Sequence, residues 1–236
     1  MIKHRNNLIL VAACSFVLSS CSVIEKASIH GLQSGYYTAD YDYLKGRKVY
    51  LDVYDDAIAG YTESDNELSS APDFVISMAE PASPGLCPTR FTKKSLDIDI
   101  TSILFKYRFE APVLPAQLTT DFNAALFAGW RKDYYLVQCT TNPLNNRSCD
   151  IINRGFDFGV FAGTGTTLVS PFTTRNLFAD EYNGMILQFG IAVFIETNVA
   201  SIGLATGFDH LVSSDRDIWI YNKKPWIGLI VGIALN

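Results

Sequence analysis

Charge is sparse in this sequence. Of 236 residues, 18% are charged and 48% apolar, and the formal net charge is −5. That balance excludes a disordered chain, and no basic block is present on which a nucleic-acid backbone would sit. Long apolar runs are missing as well. Beyond residue 20 no uninterrupted apolar stretch reaches the length of a membrane helix. Such a chain can enter a bilayer only as a closed barrel, because nothing else satisfies every backbone polar group without water. Histidine is scarce, with only His30 and His210 beyond the N-terminal segment. No Walker loop, H-E-x-x-H helix or G-x-S-x-G elbow occurs, and Gly163-Thr164-Gly165 has no lysine after it. No cofactor is expected.

What is present begins with an address. Lys3, His4 and Arg5 precede an apolar segment over residues 8–18, too short to span a bilayer but right for a signal peptide. The segment ends in Leu18-Ser19-Ser20-Cys21, which resembles a bacterial lipobox. In such signals small residues admit the peptidase, and the cysteine thiol carries the lipid. Residues 1–20 are therefore read as a signal peptide, with Cys21 lipidated and first in the mature chain, anchored in the outer membrane. Membrane lipid is the expected partner, through the acyl anchor and the barrel surface, with an envelope protein as a further contact. Cys14 is removed with the signal, leaving Cys87, Cys139 and Cys149 in an oxidising compartment. Cys139 and Cys149 flank a polar stretch read as a loop between two strands, and a disulfide is expected to staple it. No histidine lies near them, so no metal is expected there.

Three further regions follow. Residues 21–47 are Tyr-rich and without clear period, and read as anchor and tether. Residues 48–94 read as a hairpin and loops: Val49, Leu51 and Val53 alternate with Tyr50, Asp52 and Tyr54, and Asp55-Asp56 supplies a turn. Asp73 to Met78 reads as a short strand between the loops at 62–72 and 80–94. Over residues 95–236 period two recurs. Leu96, Ile98 and Ile100 form one row, and Ile103, Phe105, Tyr107 and Phe109 a second, with a bulge expected near Ser102. Phe122 to Trp130, Phe156 to Val160, Phe189 to Ile195, Ile202 to Phe208 and Ile227 to Leu235 carry further rows. The opposite faces hold small residues, among them Gly190, Ala192, Gly203, Gly207, Gly228 and Gly232, where a soluble barrel would place Lys and Glu. The expected fold is all-β: a small antiparallel up-and-down barrel of about eight strands, crossing the membrane with branched side chains toward lipid and small ones inside. Trp130, Trp219 and Trp226 are expected at the membrane interfaces. The connection at Arg131-Lys132-Asp133 reads as short, Thr197-Asn198 as a tight turn, and residues 170–183 and 209–224 as long loops. The alternative fold is a soluble, lipid-tethered barrel whose apolar rows line a cavity for a small apolar ligand.

Several segments carry a likeness to a known family. They are residues 97–108, with Asp97-Ile98-Asp99-Ile100 and Phe105-Lys106-Tyr107-Arg108, and residues 118–126; then Ile202-Gly203-Leu204-Ala205-Thr206-Gly207-Phe208-Asp209-His210-Leu211 and Trp219-Ile220-Tyr221-Asn222 through Trp226-Ile227-Gly228. They resemble outer-membrane-associated β-barrel (lipo)proteins of Bacteroidota-type bacteria, over most of residues 48–236. The resemblance implies the barrel and the compartment and carries no activity or catalytic residue. In one respect the chain departs from outer-membrane barrels in general: it ends in Leu235-Asn236 rather than in an aromatic residue.

Candidate chemistry is thin. His210 with Ser213, Ser214 and Asp215 invites a lipid-hydrolase reading, but a triad is set by geometry rather than sequence proximity. Asp52, Asp55, Asp56, Asp65 and Glu67 lack the fixed spacing of a calcium loop and read as solvated turns. Tyr36, Tyr37, Tyr41 and Tyr43 form a strip suited to a partner or to headgroups. The expectation is a non-enzymatic envelope protein with a structural or partner-docking role.

Overall fold

The structure is a computed structural model describing residues 31–40, 44–64, 67–78, 88–112, 114–141, 143, 147–196 and 201–234. The expected signal peptide, Cys21, the Thr197-Asn198 turn, Tyr41, Tyr43 and Asp65 lie outside the described residues. The chain is all-β and antiparallel. Its strands are β1 (Gly35–Asp40), β2 (Arg47–Val53), β3 (Ala57–Ser64), β4 (Glu67–Leu68), β5 (Phe74–Ser77), β6 (Thr89–Arg108), β7 (Gln117–Thr119), β8 (Asn123–Thr141), β9 (Arg147–Val169), β10 (Tyr182–Glu196), β11 (Ser201–Leu211) and β12 (Pro225–Ala234).

Six strands pair in a cycle. The order runs β6-β8-β9-β10-β11-β12, and β12 then pairs with β6, Trp226 opposite Arg108 and Ala234 opposite Asp99. About eight strands were expected in such a ring. The difference lies in length: β6, β8 and β9 run 20, 19 and 23 residues, three to four times the usual strand of about five or six, so fewer strands account for the same residues. Arg131-Lys132-Asp133 is no turn but the middle of β8, paired with Ser95 to Lys93 on one side and Asp157 to Gly155 on the other. With that turn gone, the loop lengths become regular. Residues 109–122, 170–181 and 212–224 connect strands at one end of the ring. At the other, only 142–146 and 197–200 separate β8 from β9 and β10 from β11. The expected bulge lies at Leu104, two residues beyond Ser102, where the β12 register shifts between Leu229 and Ile230.

Strand β6 belongs to two halves. From Asp99 onward its free edge takes β12; before that, Thr92 and Arg90 pair with Thr38 and Asp40 of β1. The lower half is thus the sheet β9-β8-β6-β1-β2-β3, with β5 on β3. Residues 35–40, read from sequence as tether, are a strand with Tyr37 and Ala39 buried. Cys149 Sγ lies 3.6 Å from the Ser77 carbonyl oxygen, so the end of β5 stands beside β9. That core is apolar: Val49, Leu51, Ile58, Ile76, Phe91, Tyr135, Val137 and Ile151 with Tyr37. Burial pushes the Tyr37 hydroxyl up to about 12 and raises Tyr135 further. The expected hairpin at residues 48–61 is present, β2 against β3.

Two local features of this half can be tested directly. Cys139 and Cys149 face each other across β8 and β9 and form a disulfide. Closing so short a loop stabilises by about 2–3 kcal/mol in the chain-entropy account. Cys139→Ser with Cys149→Ser should lower stability by about that amount, read from urea unfolding, and in unreduced wild type neither cysteine should react with a thiol reagent. The second feature is Asp73. Its carboxylate accepts from the Thr62 N–H at 2.7 Å, the Ser69 hydroxyl at 2.8 Å and the Thr62 hydroxyl at 2.9 Å. The Thr62 N–H, and then the two hydroxyls, hold its pKa below the usual carboxylate range. A lowered folded-state pKa means that the stabilisation is complete above about pH 4 and is lost as pH falls through the folded value. Asp73→Asn should therefore destabilise this half slightly at neutral pH, with the gap to wild type closing as the pH is lowered through the carboxylate range in urea unfolding.

Candidate functional site: an inverted ring with a buried charge network

The two halves differ in which face is apolar. In the lower half the apolar side chains point in and Arg90, Lys94, Tyr134, Gln138 and Arg154 point out. In the ring the reverse holds. Leu96, Ile98 and Ile100 on β6 face out, as do Leu126 and Trp130 on β8 and Phe156, Phe158 and Val160 on β9. Met185, Leu187, Phe189, Ile191 and Ile195 on β10, Ile202, Leu204 and Phe208 on β11, and Ile227 and Ile233 on β12 complete the band. Inside are Gly129, Gly159, Gly203, Gly207, Gly228, Asp97, Asp99, Asp157, Lys106, Arg108, Gln188 and Asp209. On the three long strands the change falls at one level of the ladder. Lys94 pairs with Lys132, and Lys132 with Phe156; the next outward positions, Leu96, Trp130 and Phe158, are paired as well.

Alternation explains how one strand can do both. A strand shows one face to each side throughout, so apolar residues at odd positions below and even positions above reverse the exterior without any break in pairing. On β9, Ile151 points in and Phe158 out.

Aromatic rings and a charge network fill the ring. Phe127 meets Phe194 edge-on at 4.9 Å, and Phe161 lies 5.9 Å from Trp226. Above them, toward the long connections, Asp209 is fully buried among three donors. Lys106 Nζ lies 2.9 and 3.0 Å from its two oxygens, Arg108 Nη2 at 2.5 Å and Trp226 Nε1 at 2.9 Å. Lys106 also donates to Gln188 Oε1 at 2.8 Å, and its ammonium sits 4.6 Å from the Trp226 ring centre. The register assembles the group, since Arg108 is opposite Trp226, Lys106 opposite Gly228 and Gln188 opposite Asp209. A β-carbon at 228 would stand 2.6 Å from the Phe105 carbonyl oxygen, so only glycine fits there.

The three long connections close that end. Leu114, Trp219, Ile220 and Tyr221 pack on Val169, Ile186 and Leu211, and the Arg108 guanidinium stacks near Trp219 and Tyr221 at 5.3 and 5.1 Å. A cleft of about 380 Å³ remains there between residues 117–121 and 167–173, with Arg108 and Tyr221 in its wall.

No family model, curated protein or solved structure matches this chain.

The sequence-derived candidates are placed as follows. His210 stands on β11 opposite Leu187, while Ser213 and Asp215 both bond the Tyr182 hydroxyl at 2.7 Å, so no Ser-His-Asp arrangement forms. Among the described residues no group of His, Cys, Asp or Glu is placed to hold a metal ion. Of the tryptophans expected at the interfaces, Trp130 faces out, but Trp219 and Trp226 are inside, where the Trp226 indole serves Asp209. The Tyr strip splits, Tyr36 exposed and Tyr37 in the core. Sequence reading missed Lys106, Arg108, Gln188 and Asp209 as a group. Their only signal was charge on the face opposite the apolar rows.

Proposed function

We propose that this chain is a non-enzymatic outer-membrane lipoprotein: a filled six-stranded barrel that crosses the membrane and holds its lower half at the periplasmic face, in a structural or partner-docking role. The observation that carries this reading is the reversal of faces at one ladder level. A soluble protein has no reason to face the outside of a strand ring with Leu, Ile, Phe and Val while placing aspartate and lysine inside, whereas in lipid the exterior must be apolar. The dimensions agree. Met185 to Ile195 spans roughly 33 Å along the strand, or about 23 Å across the bilayer at a tilt near 45°, close to the band of about 25 Å that such barrels present. Short connections on the side of the lower half and long ones opposite follow the usual periplasmic and outer sides. Aromatic rings, the Asp209 network and the Trp219–Tyr221 cap fill the lumen, which favours a plug over a pore. The competing picture, a tethered cup for an apolar ligand, needs the apolar rows around a cavity, and here they face out.

The test is gel mobility of the purified, acylated protein with and without boiling, with high-pH extraction of a Cys21→Ala form and reconstitution in brominated lipid. The expected result is heat-modifiable mobility, resistance to extraction, and bromine quenching of tryptophan emission that Trp130→Phe largely removes. Unchanged mobility, free extraction and no quenching would show that something other than lipid covers the band. Cys21→Ala should abolish palmitate incorporation.

A further inference from the structure

Just below the apolar band the outer surface is basic. On β6 and β8 the outward positions after Leu96 and Trp130 are Lys94 and Lys132, directly opposite each other in the ladder. Like charges in that position repel and destabilise a sheet. Neither lysine has an ion-pair partner among the described residues; Lys132 only caps the Tyr134 ring at 4.8 Å. Arg90, two outward positions below Lys94, and Lys45, beside the β1–β2 turn, border the same depression. Its volume is about 410 Å³, and its wall holds Lys45, Arg90, Lys94 and Lys132 against the single acid Asp40, with Thr38, Thr92 and Tyr134 between them.

We infer that this depression binds the phosphate of an anionic phospholipid in the leaflet that meets the lower half. The inference rests on the membrane reading above and deepens it. Three observations meet here: an uncompensated like-charge pair, a concave site with four basic side chains to one acidic, and a position one outward residue from the apolar band. In a bilayer that level is where the headgroups lie. A phosphodiester between Lys94 and Lys132 turns their repulsion into two attractions, and its acyl chains run up beside Leu96, Trp130 and Phe156. Threonine hydroxyls at 38 and 92 offer donors to the remaining oxygens. Each basic side chain near an anionic surface is worth about 1 kcal/mol, equivalent to roughly fivefold in binding.

The experiment uses the full acylated protein in vesicles of phosphatidylcholine containing about 20 mol% phosphatidylglycerol. Retained lipid is measured by native mass spectrometry after mild detergent extraction. Wild type is expected to keep phosphatidylglycerol well above its share of the bilayer. Lys94→Gln with Lys132→Gln should lower that enrichment by at least about fivefold, while Lys223→Gln with Lys224→Gln, at the opposite end of the ring, should leave it unchanged. If wild type keeps heat-modifiable mobility yet retains the two lipids in proportion to the mixture, the headgroup site is wrong and the membrane reading stands. Loss of the enrichment in about 1 mM inorganic phosphate would assign the depression to a free anion and overturn the lipid. Unchanged mobility on boiling, together with release of a Cys21→Ala form at high pH, would remove both readings.

Discussion

Asp209→Ala is expected to cost the ring about 3–5 kcal/mol, a large part of the stability that a domain of this size has to lose. The residue is fully buried and accepts from Lys106, Arg108 and Trp226 together. Removing its carboxylate leaves an ammonium and a guanidinium in the same enclosed space, with Gln188 the one remaining partner for Lys106. The indole N–H loses its acceptor as well. The wild-type network need not itself be a strong source of stability, because desolvating its charges offsets much of their attraction. The comparison that separates these effects is a triple variant, Asp209→Leu with Lys106→Met and Arg108→Met. It is expected to recover most of the loss, to within about 2 kcal/mol of wild type, since no charge is then buried. Urea titration of the folded band on unboiled gels measures both. A loss under about 1 kcal/mol in Asp209→Ala, or a triple variant no better than the single one, would show that water reaches the network.

How far the sequence discloses this architecture depends on which signal each residue carries. The rows on β10, β11 and β12 are legible because one face is branched and apolar while the other is small along the whole strand. Their outward direction is legible too, since Gly190, Gly203 and Gly228 would make no surface for water. The lengths of β6, β8 and β9 are hidden by the reversal itself. Where the apolar face changes sides, the local sequence must be polar on both, and Arg131-Lys132-Asp133 then looks like a turn. For the same reason residues 89–94, the first part of β6, look like the end of a loop. Strand β1 is short and has only Tyr37 and Ala39 to mark its inner face.

The charge network is hidden for a different reason. Lys106 and Asp209 are separated by 103 residues, and nothing local ties them together. Each is a charged residue on the small-residue face of a strand, and only the closing register of β12 on β6 brings the two faces into one lumen. The misplaced tryptophans follow from the dual character of the side chain. An indole suits a headgroup boundary and suits equally a core position with an acceptor for its N–H. Trp226 takes the second option because Asp209 is there.

Gly159→Val is expected to prevent the ring from closing, while Ala162→Val, facing outward three residues further along β9, is expected to leave it intact. A β-carbon at 159 would stand 2.3 Å from the Ala128 carbonyl oxygen and 2.4 Å from the Gly129 α-carbon. Both obstacles are backbone of the neighbouring strand, so no side chain can turn aside to make room. Gly190 is constrained in the same way, its β-carbon meeting the Thr206 carbonyl oxygen at 2.1 Å and the Gly207 α-carbon at 2.6 Å. Overpacking a flexible core costs about 1–3 kcal/mol, and here the ladder itself must open, so the loss should exceed that range. Six strands enclose less space than the eight whose interior side chains just fill. Glycine at facing positions is what lets the strands approach around Phe127, Phe161 and Phe194. The measurement is the fraction of each variant that runs as the folded species on an unboiled gel after refolding into detergent micelles, with far-ultraviolet circular dichroism on the same samples. Gly159→Val should give almost none and Ala162→Val a wild-type fraction. Equal yields would mean that the ring is wider than its facing glycines require, and the proposed filled plug would then give way to a lumen with room for water.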